Sequence, residues 1–124
     1  MPETNLATLE KPSNIYSNSA LFNKIPKSLI TLKILDGKDL NQDEKNQYND
    51  ALTECCDVFI DDIYLSLEEI RNELAELREA KSNSKDENQK VELRTKIINL
   101  SNKQDDLYKQ KKALIAELEA LIIV

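Results

Sequence analysis

Leucine recurs every seventh residue at Leu93, Leu100, Leu107, Leu114 and Leu121, and Ile97, Gln104, Lys111 and Leu118 fill the alternate positions of the same series. An apolar repeat of 3.5 residues held this long keeps one narrow stripe on the inside of a supercoil, which a long coiled-coil helix satisfies and a strand does not. Such a stripe needs a partner. An upstream series offers one in Tyr48, Leu52, Cys55 and Phe59, continued after a one-residue phase slip by Ile63, Leu67, Ile70, Leu74 and Leu77. A slip of this kind is a local stutter that a supercoil absorbs.

In an antiparallel pair the residue numbers of facing positions add to a constant. Leu74 with Leu93, Ile70 with Ile97, Leu67 with Leu100 and Ile63 with Gln104 share one such constant, which also sets Ile60 near Leu107 and Cys56 near Lys111. The centre of that symmetry falls between Asn83 and Ser84, inside the polar run Lys81-Ser82-Asn83-Ser84. Two independent heptad series need not agree with a turn in this way. Pairing within one chain is therefore favoured over a parallel leucine zipper between copies. Lys111 is expected to pack its stem and keep its amine in water.

Turn chemistry sets the boundaries. Asn41 with Glu44, and Ser84 with Glu87, have capping-box spacing, and Asp43, Glu44 and Asp86 suit the positive end of a helix dipole. The expected elements are a long helix over 42–81, a loop at 82–84 and a second long helix over 85–122, each about 40 residues or ~60 Å. Residues 25–36 alternate like a strand at Ile30, Leu32 and Ile34, yet Ile25, Leu29, Leu32 and Leu35 lie near helical spacing. Pro26 fits a first turn, Gly37 fits a helix end, and no second strand is available, so a short helix is favoured. Residues 1–24 are polar and without a sustained period, and read as a flexible arm in which Ile15, Tyr16, Leu21 and Phe22 dock locally. With one glycine, three prolines, no tryptophan and 32% charged residues, the fold class is all-α. It is a long antiparallel two-helix coiled-coil hairpin with a short N-terminal helix (or strand) packing at its open end.

A two-helix seam does not use every apolar residue. Val58, Ile60, Tyr64 and Leu65 on the first helix, and Tyr108, Ile115, Ile122 and Ile123 on the second, are left over, all toward the open end. Near the loop the flanks are Glu, Arg, Lys and Asn. Leftover apolar surface marks an interface. Residues 25–36 are too short to cover it all, so self-association there, a homodimer first, is the expectation.

Charge is uneven. Residues 41–84 carry four basic and twelve acidic side chains, a net −8 within a chain of net −6. The acidic residues Asp57, Asp61, Asp62, Glu68, Glu69, Glu73 and Glu76 form either a solvated face or a binding surface. A negative chain disfavours phosphate contacts, so direct nucleic-acid binding is not expected. Histidine is absent, which removes His-based catalysis and His metal ligands, and one glycine cannot build a phosphate loop. No cofactor, no metal site and no enzyme activity are expected. Cys55 and Cys56 are adjacent and cannot bridge without distorting the backbone, and free thiols suit a reducing compartment. No apolar run approaches the ~20 residues of a membrane span. These features suggest a cytoplasmic protein, in its own cell or a host's. The expected function is a non-enzymatic protein–protein interaction module, an adaptor, chaperone or assembly-type coiled coil. The alternative is a small acidic inhibitor, of phage-encoded type, whose negative helix blocks a basic nucleic-acid-binding groove.

Overall fold

The computed structural model describes residues 13–124. Among them there are five helices and no strand: α1 (Ser13–Ser17), α2 (Ala20–Lys24), α3 (Leu29–Leu35), α4 (Gln42–Asn83) and α5 (Glu87–Leu121). The all-α hairpin expectation holds, with the two long helices packed against each other. Two compact units divide the chain. A base unit contains residues 13–58 and 114–124, and a hairpin unit contains Phe59–Ala113.

Capping explains where the elements begin and end. Within residues 25–36, Leu29–Leu35 form a helix and not a strand, because Ser28 and Thr31 exchange side-chain and backbone hydrogen bonds as a capping box ahead of α3. Pro26 lies before that cap rather than in the first turn. Gly37 ends α3 at φ +72°, where a residue without Cβ avoids strain, and its N–H donates to the Ile34 carbonyl while Lys38 N–H donates to Lys33. The expected box at the start of α4 is present: Glu44 N–H donates to Asn41 Oδ1 at 2.8 Å and Asn41 N–H to Glu44 Oε1 at 3.0 Å. The box expected at Ser84 is not. Asp86 caps α5 instead, accepting from Asn88 N–H at 3.0 Å, and Ser84 holds the loop by donating to Gln89 Oε1 at 2.9 Å. The loop is therefore 84–86, not 82–84, and α5 ends at Leu121, not 122.

The base unit corrects the reading of residues 1–24 as an arm. Residues 1–12 lie outside the described residues, but 13–24 form α1 and α2, and Tyr16, Leu21 and Phe22 are buried. The rings of Tyr16 and Phe22 meet Tyr48 of α4 at centroid distances of 6.5 and 6.1 Å. Glu117 of α5 fastens α2 from the other side: it accepts from Ser19 Oγ at 2.6 Å and from Leu21 N–H at 3.3 Å. The cover over the base is thus built from α1 and α2 as well as residues 25–36.

The end of α5 is also held. Tyr48 donates its phenolic proton to the Leu121 carbonyl at 2.9 Å, and Asn49 bonds both the N–H and the carbonyl of Ile123, at 3.0 and 2.7 Å. Leu52, Cys56 and Leu121 complete this core. Sequence analysis put Cys55 on the seam. The structure buries Cys56 there and leaves Cys55 half-buried, because α4 steps by four residues from Tyr48 to Leu52 to Cys56. The Cys56 thiol faces the Leu114 carbonyl at 3.8 Å, one turn along from the Lys111 that the register anticipated.

In the hairpin unit the seam follows the leucine series. Ile63, Leu67, Leu74 and Leu93 are buried, and Ile70, Leu77, Ile97, Leu100, Gln104 and Leu107 are half-buried. Exposed charged residues flank that stripe on either side. Burying Leu67 alone stabilises by about 1.5–3 kcal/mol relative to leaving it in water.

Candidate protein-interaction surface

The leftover apolar residues divide between the two units. In the base unit Val58 is 61% exposed and Ile115 37%, whereas Ile122 and Ile123 are only half-exposed, since Asn49 draws the end of the chain in. In the hairpin unit Tyr64 is 48%, Leu65 60% and Tyr108 44% exposed, while Ile60 is half-buried. Four further apolar residues are exposed that sequence analysis does not assign to the surface. Leu29 and Leu32 of α3 in the base unit, and Val91 and Ile98 of α5 in the hairpin unit, all stand more than half exposed. Their spacing, i,i+3 on α3 and seven on α5, was the available signal.

The acidic residues behave as a group. Asp57 in the base unit, and Asp61, Asp62, Glu68, Glu69, Glu73 and Glu76 in the hairpin unit, are all exposed. None is among the ion pairs of the described residues, which are Lys33 with Glu44 at 2.7 Å and Lys90 with Glu87 at 3.7 Å. They are not gathered as a chelate: no group of three or more His, Cys, Asp or Glu able to hold a metal occurs among the described residues.

The structure brings together two sets that the sequence left separate. Asp61, Tyr64, Leu65 and Glu68 fall at i, i+3, i+4 and i+7 of α4, which is one face of a helix. The apolar pair therefore sits between two carboxylates in a single stripe. Lys111 reaches this stripe from α5, its Nζ 4.9 Å from the centroid of the Tyr64 ring. It is half-buried, with its stem along the seam and its charge on an aromatic face.

Among the described residues three groups have a shifted pKa. Burial, with Tyr16 nearby, raises Tyr48 well above the ordinary 10.0. Burial, and then the Asp57 and Glu117 carboxylates, raises the Cys56 thiol, which suits a packed residue and not a nucleophile. The Lys33 amine and the Asn41 N–H lower Glu44. No helix among the described residues is long and apolar enough to cross a membrane.

No family model matches the chain, and neither a curated protein nor a solved structure matches it.

Proposed function

We propose that this chain is a helical protein–protein interaction module that works by binding and not by catalysis, as an adaptor or assembly-type coiled coil. The observation that carries the reading is the α4 stripe, where Tyr64 and Leu65 stand 48% and 60% exposed between Asp61 and Glu68 on a rigid two-helix support. Apolar side chains framed by like charges bind a partner with matching apolar and basic groups, and the carboxylates set orientation and discourage wrong partners.

A photo-cross-linking residue placed at Leu65 tests it in the native cell. A discrete protein adduct is expected, and it should weaken when Asp61→Lys and Glu68→Lys are added. A control cross-linker at the exposed Asn99 should give no such dependence. If position 65 captures nothing that depends on these carboxylates, the reading is wrong.

A second reading has its own support. Among the described residues the seven exposed carboxylates from Asp57 to Glu76 are in no ion pair, which suits an acidic inhibitor that occupies a basic, nucleic-acid-binding groove of another protein. Its affinity would fall steeply with salt. Charge reversal across these positions that left such binding unchanged would end this alternative.

A further inference from the structure

Beside its loop the hairpin unit holds a second surface of opposite character. A cleft of about 550 Å³ is lined by Arg78 and Lys81 of α4 and by Glu87, Lys90, Arg94 and Ile97 of α5. Four cations converge there against one carboxylate, and Glu87 answers only Lys90, at 3.7 Å. Arg78, Lys81 and Arg94 are in no ion pair of the described residues. Like charges gathered across a coiled-coil seam repel one another and cost stability. An anionic occupant would reverse the sign of that cost, and Ile97 gives the cleft an apolar patch as well.

The acidic stripe and the basic cleft lie on the same flank of the hairpin, and two series establish it independently. On α4, Tyr64, Arg71 and Arg78 are seven residues apart, so in a supercoil they share one side. On α5, Ile97, Gln104 and Lys111 are likewise seven apart. Ile97 lines the cleft, and Lys111 lies over the Tyr64 ring. The two patches are thus separated by two heptads, about 20 Å along the helix axis.

We propose that the occupant of the cleft is the Asp61–Glu68 stripe of a second copy of this chain, in an antiparallel dimer whose two-fold axis passes near Arg71. This inference rests on the reading of the stripe as an interaction face and names its partner. Two complementary patches on one flank are both satisfied when a two-fold axis midway between them exchanges one for the other. The result is a closed, isologous contact with no unsatisfied end. In it Asp61 and Glu68 meet Arg78 and Arg94 of the other copy, and Tyr64 and Leu65 approach its Ile97. An unrelated acidic protein would fill the cleft but leave the stripe uncovered, whereas a second copy fills both.

Sedimentation velocity on the full chain, at low and high salt, tests this with two charge-reversal pairs, R78E/R94E and D61K/E68K. All four residues are exposed, and far-UV circular dichroism checks that helix is retained. The wild type should dimerise and weaken as salt rises. Each variant alone should bind itself at least about tenfold more weakly, because both contacts then oppose like charges. An equimolar mixture of the two variants should recover the dimer, since both contacts in the mixed pair are of opposite sign. A wild type that stays monomeric, a dimer indifferent to both variant pairs, or a mixture that fails to recover would each overturn the proposal. So would a polyanion such as heparin binding the wild type but not R78E/R94E while both remain monomeric. A monomeric wild type whose position 65 still cross-links another protein through Asp61 and Glu68 would sink the homodimer and leave the interaction face standing. Absence of that cross-link would sink both.

Discussion

Tyr48 joins two things that hold the base unit together. Its ring is 2% exposed beneath Tyr16 and Phe22, and its hydroxyl donates to the Leu121 carbonyl at 2.9 Å. Tyr48→Phe removes only the hydroxyl. The variant leaves a buried carbonyl short of a donor and should lose about 1–1.5 kcal/mol at neutral pH. Tyr48→Ala also removes the ring and should lose about 3–5 kcal/mol. The pH dependence separates the two contributions. Burial raises the folded-state pKa of Tyr48 above the ordinary 10.0, so the folded chain keeps a proton that the unfolded chain releases. The hydroxyl's contribution is therefore complete below pH 10 and is lost as pH rises above it, at up to about 1.4 kcal/mol per pH unit. Tyr48→Phe has no such proton. Its deficit against the wild type should shrink to nothing about one unit above pH 10, and tyrosines common to both proteins cancel in the difference. Urea denaturation followed by circular dichroism at pH 7, 9, 10 and 11 measures this, read as a shift in midpoint at constant slope. A Phe variant as stable as the wild type at pH 7, or a deficit unchanged from pH 9 to 11, would refute the argument.

Other consequences follow from burial and charge. Leu67→Ala in the hairpin seam should cost about 2–5 kcal/mol, whereas Leu65→Ala two positions away should change thermal stability by less than about 0.5 kcal/mol. Equal effects would mean that the seam is misplaced. Ellman's reagent should modify Cys55 readily and Cys56 only on unfolding, seen as one fast thiol in buffer and two in urea, because Cys56 has no exposed surface and a raised pKa. Glu44 holds the start of α4 through Asn41 and Lys33 with a pKa lowered from 4.5, so this support is intact above pH 4.5 and is lost as pH falls through the lower folded value. Protection of the amides at residues 42–45, taken as exchange relative to the unstructured-chain rate at each pH, should fall on acidification, and Glu44→Gln should abolish that pH dependence.

The long-range architecture was legible because a heptad repeat is a collective signal. The buried Leu67, Leu74 and Leu93 each belong to a series, and the error of one residue at Cys55 arose where two identical side chains stand together. What escaped the sequence was decided by distant contacts. Residues 13–24 form helices of five residues, too short to show a period, and α2 is fastened through Glu117, which lies 96 residues from Leu21 along the chain. The loop shifted because Ser84 and Asp86 are both good caps, and only the geometry of the turn chooses between them. Of the candidate site, Tyr64, Leu65 and the carboxylates are exposed, which follows from their place outside the heptad seam. The basic cleft was not read, because its four cations come from two helices and converge only after the chain turns at 84–86.

The apolar and acidic readings of this chain made opposite forecasts about salt. An apolar interface should be nearly indifferent to ionic strength, and an acidic one should dissolve in it. The structure removes the opposition, because Asp61, Tyr64, Leu65 and Glu68 share one stripe. Burial of a half-exposed Tyr and Leu supplies attraction that salt does not screen, and the two carboxylates add a part that it does. Binding at this stripe should therefore weaken on raising salt and then level off instead of vanishing. Asp61→Asn with Glu68→Gln should reproduce the high-salt plateau at low salt, and Leu65→Ala should lower the plateau itself. A titration of affinity against ionic strength for these variants apportions the two contributions. A wild-type affinity that falls without limit would assign the whole interaction to charge, and one that never falls would leave the carboxylates no part in it.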